Sequence, residues 1–575
     1  MDDQLMPTNV ATQPTAAKML NEAVERVRSS AEKFVHLTLE QRIALASAMQ
    51  KGYLAVAQDS VRAGCEAKGI PFDSPLATEE WATGPWCVVR HLRLVREQLE
   101  SLRRTGNTRI GATRSATDGR TMVEVFPTNA VDGMLFKDCK VEVRMQHGED
   151  TKAVEQRRAS FYRGGTHQGK VALVLGAGNI AAIGPMDVIT KLFNEGKVCV
   201  LKMNPVNAYL GPFIERAFSE AIRQGFLAVI YGGVEQGTQL VQHPDIDEIH
   251  LTGSDATHDA IVWGPTGPER EMRKQLGTPL CTKPVSSELG NVSPVILVPG
   301  PYTDRQLAYQ TEELASYTTM NAAFMCNAAR VLVTSQQWAP RRKFLIHLQR
   351  ILSDIAPRRS YYPGAVDLWL EQTEKRKNIL LLGQPKDGTL PWTLLTGLDP
   401  NSRHEPLFEH EAFCPILAET SLGSSDPVEF LEQAVDFANE RLWGTLSATL
   451  VVHPHLMKDK RTAAAVERAI ARLRYGTVAI NAYPGMSFAF GSPPWGAYPG
   501  STLDNIQSGR GWVHNTPMLE GIEKTVMRFP LTMFPKPGYF PSNRNGAKTM
   551  QALIRLDTDA RWSQLPSVMW NAMHG

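Results

Sequence analysis

Along residues 16–104 apolar and polar positions alternate at helical spacing, most clearly in FVHLTLEQRIALASAMQKGYLAVAQDSVRAGCEAKG, and the pattern predicts amphipathic helices. From about residue 121 the period shortens to two, so TMVEVFP and CKVEVRMQ read as strands. Between 170 and 260 the two patterns alternate. KVALVLG is a buried strand; a glycine-rich turn, a helix over about 184–195 and the strand VCVLK follow. A helix over about 208–224 and the strands LAVIYGG and EIHLTG complete the stretch. Buried strands alternating with amphipathic helices imply a parallel, doubly wound sheet with ligands at the strands' C-terminal ends. A second α/β stretch runs from VSPVILVPG past VLVTS, then through LSATLVVHP to GTVAINAYPG. FPLTMFPKPGYFPSNRN, residues 529–545, is rich in proline and aromatics and belongs to neither sheet.

At 575 residues the chain needs two or more hydrophobic cores. Its 61 basic and 59 acidic residues nearly cancel, which removes any electrostatic reason to expect nucleic acid or an anionic membrane as partner. MDDQLMPTNV lacks the basic start and apolar stretch of a secretory signal, and no apolar run approaches the roughly 20 residues that span a bilayer. The seven cysteines are scattered and form no CxxC pair, so they read as neither a disulfide framework nor a metal site. A reducing cytoplasm is the expected location.

Gly176, Gly178 and Ala181 fit a GxGxxA pattern between a strand and a helix, the context that a dinucleotide loop requires and that a bare tight turn also satisfies. The next strand should end in an acid that binds the adenosine ribose, but VCVLK ends in Lys202. The usual fingerprint is therefore absent.

Five stretches in order account for that departure: LGAGNIAAIGP leading to VCVLKMNP, IHLTGSDATHDAIV, VSSELGNVSPVIL, MNAAFMCNAARVLV and EHEAFCPIL. From about residue 20 to 530 the chain resembles the aldehyde dehydrogenase superfamily. The resemblance implies an α/β fold: a Rossmann-type dinucleotide-binding domain, an α/β catalytic domain and a small β oligomerisation arm. It places the cofactor domain at 1–283, interrupted near 126–155 by the arm, and the catalytic domain at 284–490. Residues 491–530 return to the cofactor domain and supply the oligomerisation strand, and 531–575 form a C-terminal extension. In relatives the strand corresponding to EKTVMRFPL augments a neighbour's sheet, so a homodimer or homotetramer is expected. The extension is expected to pack against a partner subunit, with long apolar substrates or peripheral membrane contact as alternatives. Departures include Gly178 where an aromatic is usual, Pro205 where glutamate often meets the ribose, and an extra loop over 262–283.

Oxidising an aldehyde by hydride transfer requires a tetrahedral centre, which a thiolate supplies by adding to the carbonyl. The resemblance assigns that role to Cys326, at a loop junction where backbone amides are expected to favour the thiolate. It assigns the oxyanion to the Asn179 amide and the Cys326 backbone N–H; a helix cap is the other reading of Asn179. Glu288, in an apolar turn that raises its pKa, is assigned the water that hydrolyses the thioester. For NAD or NADP, Lys202 would meet the adenosine ribose, Gly253 and Ser254 the diphosphate, Glu411 the nicotinamide ribose and Phe413 the ring. Loops near 183–188, 322–325 and 484–490 mix Phe, Met, Ile and Ala, consistent with an apolar aldehyde. The rival readings are a CoA-acylating reductase of the same fold and a catalytically silent scaffold.

Overall fold

The computed structural model describes residues 13–575. Helices Ala17–Val35, Leu39–Lys68 and Cys87–Thr105 fill the N-terminal region. Thr38 and Gln41 close a capping box at the start of the second, and Gly69 and Gly106 end the second and third with left-handed φ of 67° and 75°.

Two sheets carry the molecule. The smaller has six strands in the spatial order Gly509–Arg510, Val285–Leu289, Glu248–Gly253, Val171–Leu175, Val198–Lys202, Leu227–Ile230. All neighbours are parallel except the first pair. The first of these six strands along the chain, Val171–Leu175, lies between its successor Val198–Lys202 and Glu248–Gly253, so the strand order reverses there and a crevice opens beyond the C-terminal ends. Its strands are buried on both faces, which explains why they read as continuous apolar runs. Glu288 lies on a strand of this sheet, so the boundary expected at 283 falls one strand early.

The larger sheet has eleven strands. Thr113–Ser115, Thr121–Phe126 and Lys140–Met145 form an antiparallel arm that begins earlier than residue 126. The strand Ile522–Arg528 joins that arm to Thr477–Ile480, and the sheet continues through Ser447–Val451, Ser293–Leu297, Ala329–Ser335, Ile416–Leu422 and Trp392–Leu398 to Ile379–Leu382. Ile522–Arg528 pairs antiparallel with Lys140–Met145 on one side and parallel with Thr477–Ile480 on the other. Both of its edges are satisfied within the chain, which corrects the expectation that this strand reaches for a neighbour's sheet.

The extra loop over 262–283 contains a helix, Pro268–Leu276, with proline in its first turn and left-handed Gly277 after its end. The C-terminal extension also folds. After the irregular stretch ending at 545, helix Gly546–Asp559 packs back on this chain's own helix Cys87–Thr105, and Leu565–Met573 packs on Gly546–Asp559. No helix among the described residues is long and apolar enough to cross a membrane.

Candidate active site

A cleft of about 1120 Å³ opens over the C-terminal ends of the six-stranded sheet. It runs from between helices Val234–Gln242 and Asp255–Val262, past Lys202 and Pro205, to Cys326. Asn179, Lys202, Gly253, Ser254, Glu288, Cys326, Glu411 and Phe413 all line it.

At its outer end Lys202 closes a strand, half-buried, with desolvation lowering its pKa and no carboxylate salt-bridged to it among the described residues. Ser254 caps the helix Asp255–Val262 by accepting from the Thr257 N–H, so its backbone turn and the helix N-terminus face the cleft together. The expected extra loop contributes Leu280, Cys281, Thr282 and Lys283 to the same end. Gly178, where the resemblance leads one to expect an aromatic, is required by space: a Cβ there would lie 2.6 Å from Asn204 Oδ1 and 2.8 Å from Val206 Cβ.

At its inner end lie two carboxylates, Glu288 buried and Glu411 half-buried with its Oε1 shielded from solvent. Glu411 Oε1 has no hydrogen-bond partner among the described residues, and burial raises this acid's pKa to about 8 despite the nearby Arg330 guanidinium. A Cβ on Gly290 would lie 1.8 Å from Glu411 Oε2, so only glycine in SSELGN leaves the Glu411 carboxylate its place. An unsatisfied buried acceptor facing a long cleft calls for a polar ligand. Lys202, the capped helix end, Glu411 and the Phe413 ring together fit a dinucleotide. Phe413 packs 4.9 Å from Tyr362 and 5.6 Å from Phe324, centroid to centroid.

Glu288 is buried beside the Cys326 thiol, and burial raises its pKa to about 7. Its Oε1 likewise has no hydrogen-bond partner among the described residues. Burial and the neighbouring Glu288 push the Cys326 thiol well above the ordinary thiol range, against the pull of its own backbone N–H. The expectation that backbone amides favour a resting thiolate is thereby corrected. Desolvation and a like-charged neighbour outweigh one N–H, and the pair holds its proton on sulfur until a base removes it.

Asn179 does not cap a helix. The following helix starts at Ile183 and no side chain caps it. Instead Asn179 Nδ2 donates to the Phe324 carbonyl at 3.0 Å, tying the glycine-rich turn to the loop that leads to Cys326. Its own carbonyl accepts from Lys68 Nζ, Asn321 Nδ2 and Tyr361 Oη.

Asn321 is the centre of this support. Asn321, Ala322 and Ala323 have φ of 52°, 56° and 70°, three successive left-handed residues without a glycine. Such positions cost on the order of 1–3 kcal/mol each and persist only where the surroundings over-determine them. The Asn321 backbone N–H donates to Glu79, its amide donates to the Asn179 and Phe324 carbonyls, and its Oδ1 accepts from Lys68 and Tyr361. Arg330 holds the other side of the loop, donating to the carbonyls of Ala323 and Cys414. Lys68, Asn321 and Arg330 do not stand out in the sequence. A basic residue inside the apolar strand ARVLVTS is the one available signal.

Cys326 also opens on a second cavity of about 170 Å³, lined by Trp86, Ile183, Met325, Phe488, Trp495 and Leu553 among others. Its walls are apolar. The acid on its lining, Glu79, is engaged by Arg358 at 3.2 Å and by the Asn321 N–H. No group of three or more His, Cys, Asp or Glu side chains among the described residues is arranged to hold a metal.

Residues 143–353 match the model of the aldehyde dehydrogenase family. A 142-residue stretch is 30% identical to human 4-trimethylaminobutyraldehyde dehydrogenase, covering 24% of this chain and 26% of that protein. A 289-residue stretch is 25% identical to the chloroplastic betaine aldehyde dehydrogenase of Amaranthus hypochondriacus, covering 47% of this chain and 50% of the other. The matched stretches thus span a quarter to a half of these relatives' lengths. In fold the likeness is broader. The NAD-dependent aldehyde dehydrogenase of Sinorhizobium meliloti superposes with a TM-score of 0.60 at 17% identity, over 91% of this chain and 89% of that one. The NADP complex of the glyceraldehyde-3-phosphate dehydrogenase of Bacillus halodurans gives 0.59 at 16% identity, over 89% and 91%. By sequence in its central third the chain matches the aldehyde dehydrogenase family, and over nine-tenths of its length it has the fold of solved aldehyde dehydrogenases.

Proposed function

We propose that the protein oxidises an apolar aldehyde to its carboxylic acid with NAD or NADP, through a thioester on Cys326 that Glu288 helps water to hydrolyse. One observation carries this reading: Cys326 lines both the long polar cleft and the small apolar chamber, so a group in one meets a group in the other at its sulfur.

Glu288, an acid that titrates near neutrality, accepts the thiol proton as sulfur adds to the aldehyde carbon. The carbonyl oxygen becomes an oxyanion, for which the Cys326 backbone N–H and the second N–H of the Asn179 amide are the available donors. When bound, the nicotinamide supplies an acceptor for the hydride that leaves the tetrahedral carbon as the C=O re-forms. Glu411 would receive ribose hydroxyls and Phe413 would back the ring, fixing the cofactor's depth. The thioester then takes water. Glu288, having released its first proton, removes one from the attacking water, and sulfur leaves as thiolate.

The curated relatives are named for amino and betaine aldehydes. This chamber gives an ammonium group poor company, because Glu79 is already neutralised by Arg358. An uncharged apolar aldehyde fits it better.

The test is Glu288→Gln in a single-turnover assay. Expected is one equivalent of NADH or NADPH per chain, followed by arrest as an acyl adduct on the Cys326 peptide, with no rescue by CoA. Hydrolysis of the adduct at the wild-type rate, or a wild type that turns over only with CoA, overturns the reading.

A further inference from the structure

The apolar chamber is built in part by residues that lie beyond both sheets. Met533, Tyr539, Met550, Leu553, Val568 and Met569 of the C-terminal extension line the same cavity as Cys326. This segment is held in place at two sites. At its start, Gln310 Nε2 donates to the Leu531 carbonyl at 2.6 Å, the Met533 N–H donates to Tyr309 Oη at 3.1 Å, and Lys536 Nζ pairs with Glu312 at 2.6 Å. Near its end, the buried Asp557 carboxylate accepts from Arg90 at 2.9 Å, Arg93 at 2.7 Å and the Trp86 indole N–H at 2.7 Å. Trp86 itself lines the chamber, so the anchor and the wall are one unit.

We propose that residues 531–573 are the specificity element of this site: folded over it in cis, they wall the chamber and limit the aldehyde's apolar part to about the size of one aromatic ring. The size follows from volume. The chamber holds about 170 Å³, and a dry apolar cavity of about 150 Å³ accommodates benzene. The charge balance agrees, because the extension's polar groups at this wall are turned to partners. Lys536 is paired with Glu312, and Tyr539 Oη donates to Glu313 at 3.4 Å. A compact aryl aldehyde, or an aliphatic one of similar bulk, is the substrate class this implies. The inference rests on Cys326 being the group that meets the aldehyde carbon.

The experiment pairs two readouts on the full-length chain. The first is kcat/KM across benzaldehyde, hexanal, decanal and dodecanal. The second is the rate at which N-benzylmaleimide and N-dodecylmaleimide label Cys326, read by peptide mass, which needs no aldehyde chemistry. Wild type should favour the compact member of each set. Met550→Ala and Leu553→Ala open the wall, and should raise the long-to-compact ratio roughly tenfold, since the added space takes up methylenes that the intact wall excludes. Met569→Trp fills it and should lower labelling by the benzyl reagent several-fold. Thermal melting identifies any variant that fails to fold, and Met569→Trp, whose effect has the opposite sign, tests the wall independently of the two alanine variants. If labelling shifts as expected while no aldehyde is oxidised, the wall stands and the catalytic reading falls. If the ratios of all folded variants match wild type in both readouts, the extension does not set the chamber's size and the inference is overturned.

Discussion

Gly290 and Glu411 are separated by over a hundred residues, yet the absence of one side chain permits the position of the other. A methyl group on Gly290 would occupy the space of the Glu411 carboxylate, so Gly290→Ala must displace it. Expected is a rise in the KM for the dinucleotide together with a fall in kcat, by roughly tenfold or more in kcat/KM, because a charge-assisted hydrogen bond is worth on the order of 1.5–3 kcal/mol. Unchanged dinucleotide kinetics in a folded Gly290→Ala protein would remove Glu411 from the cofactor site. Glu288 carries a different prediction. As a base it works only when deprotonated, and burial holds its pKa up at about 7. Where deacylation limits turnover, kcat should therefore climb as pH rises through about 7 and level off above it, and Glu288→Gln should lose that limb. A kcat flat between pH 6 and 8, with deacylation shown to limit, would assign the base elsewhere. Glu288 and Glu411 could be singled out in the sequence because each sits in a short motif of recognisable order, whereas the steric demand on Gly290 could not. Nor could Lys68, Asn321 and Arg330, because their work is to hold backbone carbonyls contributed by segments far away in the chain.

Periodicity placed the helices and strands because each obeys a local rule: two-sided burial gives apolar runs, and one-sided burial gives helical stripes. The extension escaped such a rule. Its proline-aromatic start has no period, and its contacts fall on helices Cys87–Thr105 and Asp304–Thr319, several hundred residues earlier. Local sequence carries no trace of such contacts. Asp557 shows the consequence for stability. Four hydrogen bonds reach its buried carboxylate, two of them from Arg93 and one from Arg90. Arg90 keeps Asp132 and Arg93 keeps Glu97 when Asp557 is removed. Breaking a buried ion pair costs about 3–5 kcal/mol when the remaining charge is left alone, so Asp557→Ala should fall at the lower end, near 3 kcal/mol, in urea denaturation. Undocking of the extension should accompany it, visible as faster proteolysis within 531–575. A loss below about 1 kcal/mol would mean that the extension is held by its apolar contacts alone.

At the scale of the whole molecule, the eleven-stranded sheet carries a prediction about assembly. A strand with an unpaired edge is a template for a neighbour, and the resemblance to aldehyde dehydrogenases led to the expectation that EKTVMRFPL uses such a neighbour. Here Ile522–Arg528 is hydrogen-bonded on both sides within one chain, to Lys140–Met145 and Thr477–Ile480. The arm thus closes on the sheet that it would otherwise lend to a partner. One outer edge of that sheet is the three-residue strand Thr113–Ser115, too short to template a long pairing. The chamber wall is likewise supplied by the same chain, through Met550 and Leu553. A site complete within one subunit has no structural need of a second, so the expected solution mass is that of one chain, 63.6 kDa. Light scattering at micromolar concentration tests this directly. Dilution tests it functionally: specific activity should stay constant down to nanomolar protein, because no interface must survive for the site to remain whole. A mass of two or four chains, with activity falling as they separate, would mean that a surface outside this sheet completes the enzyme.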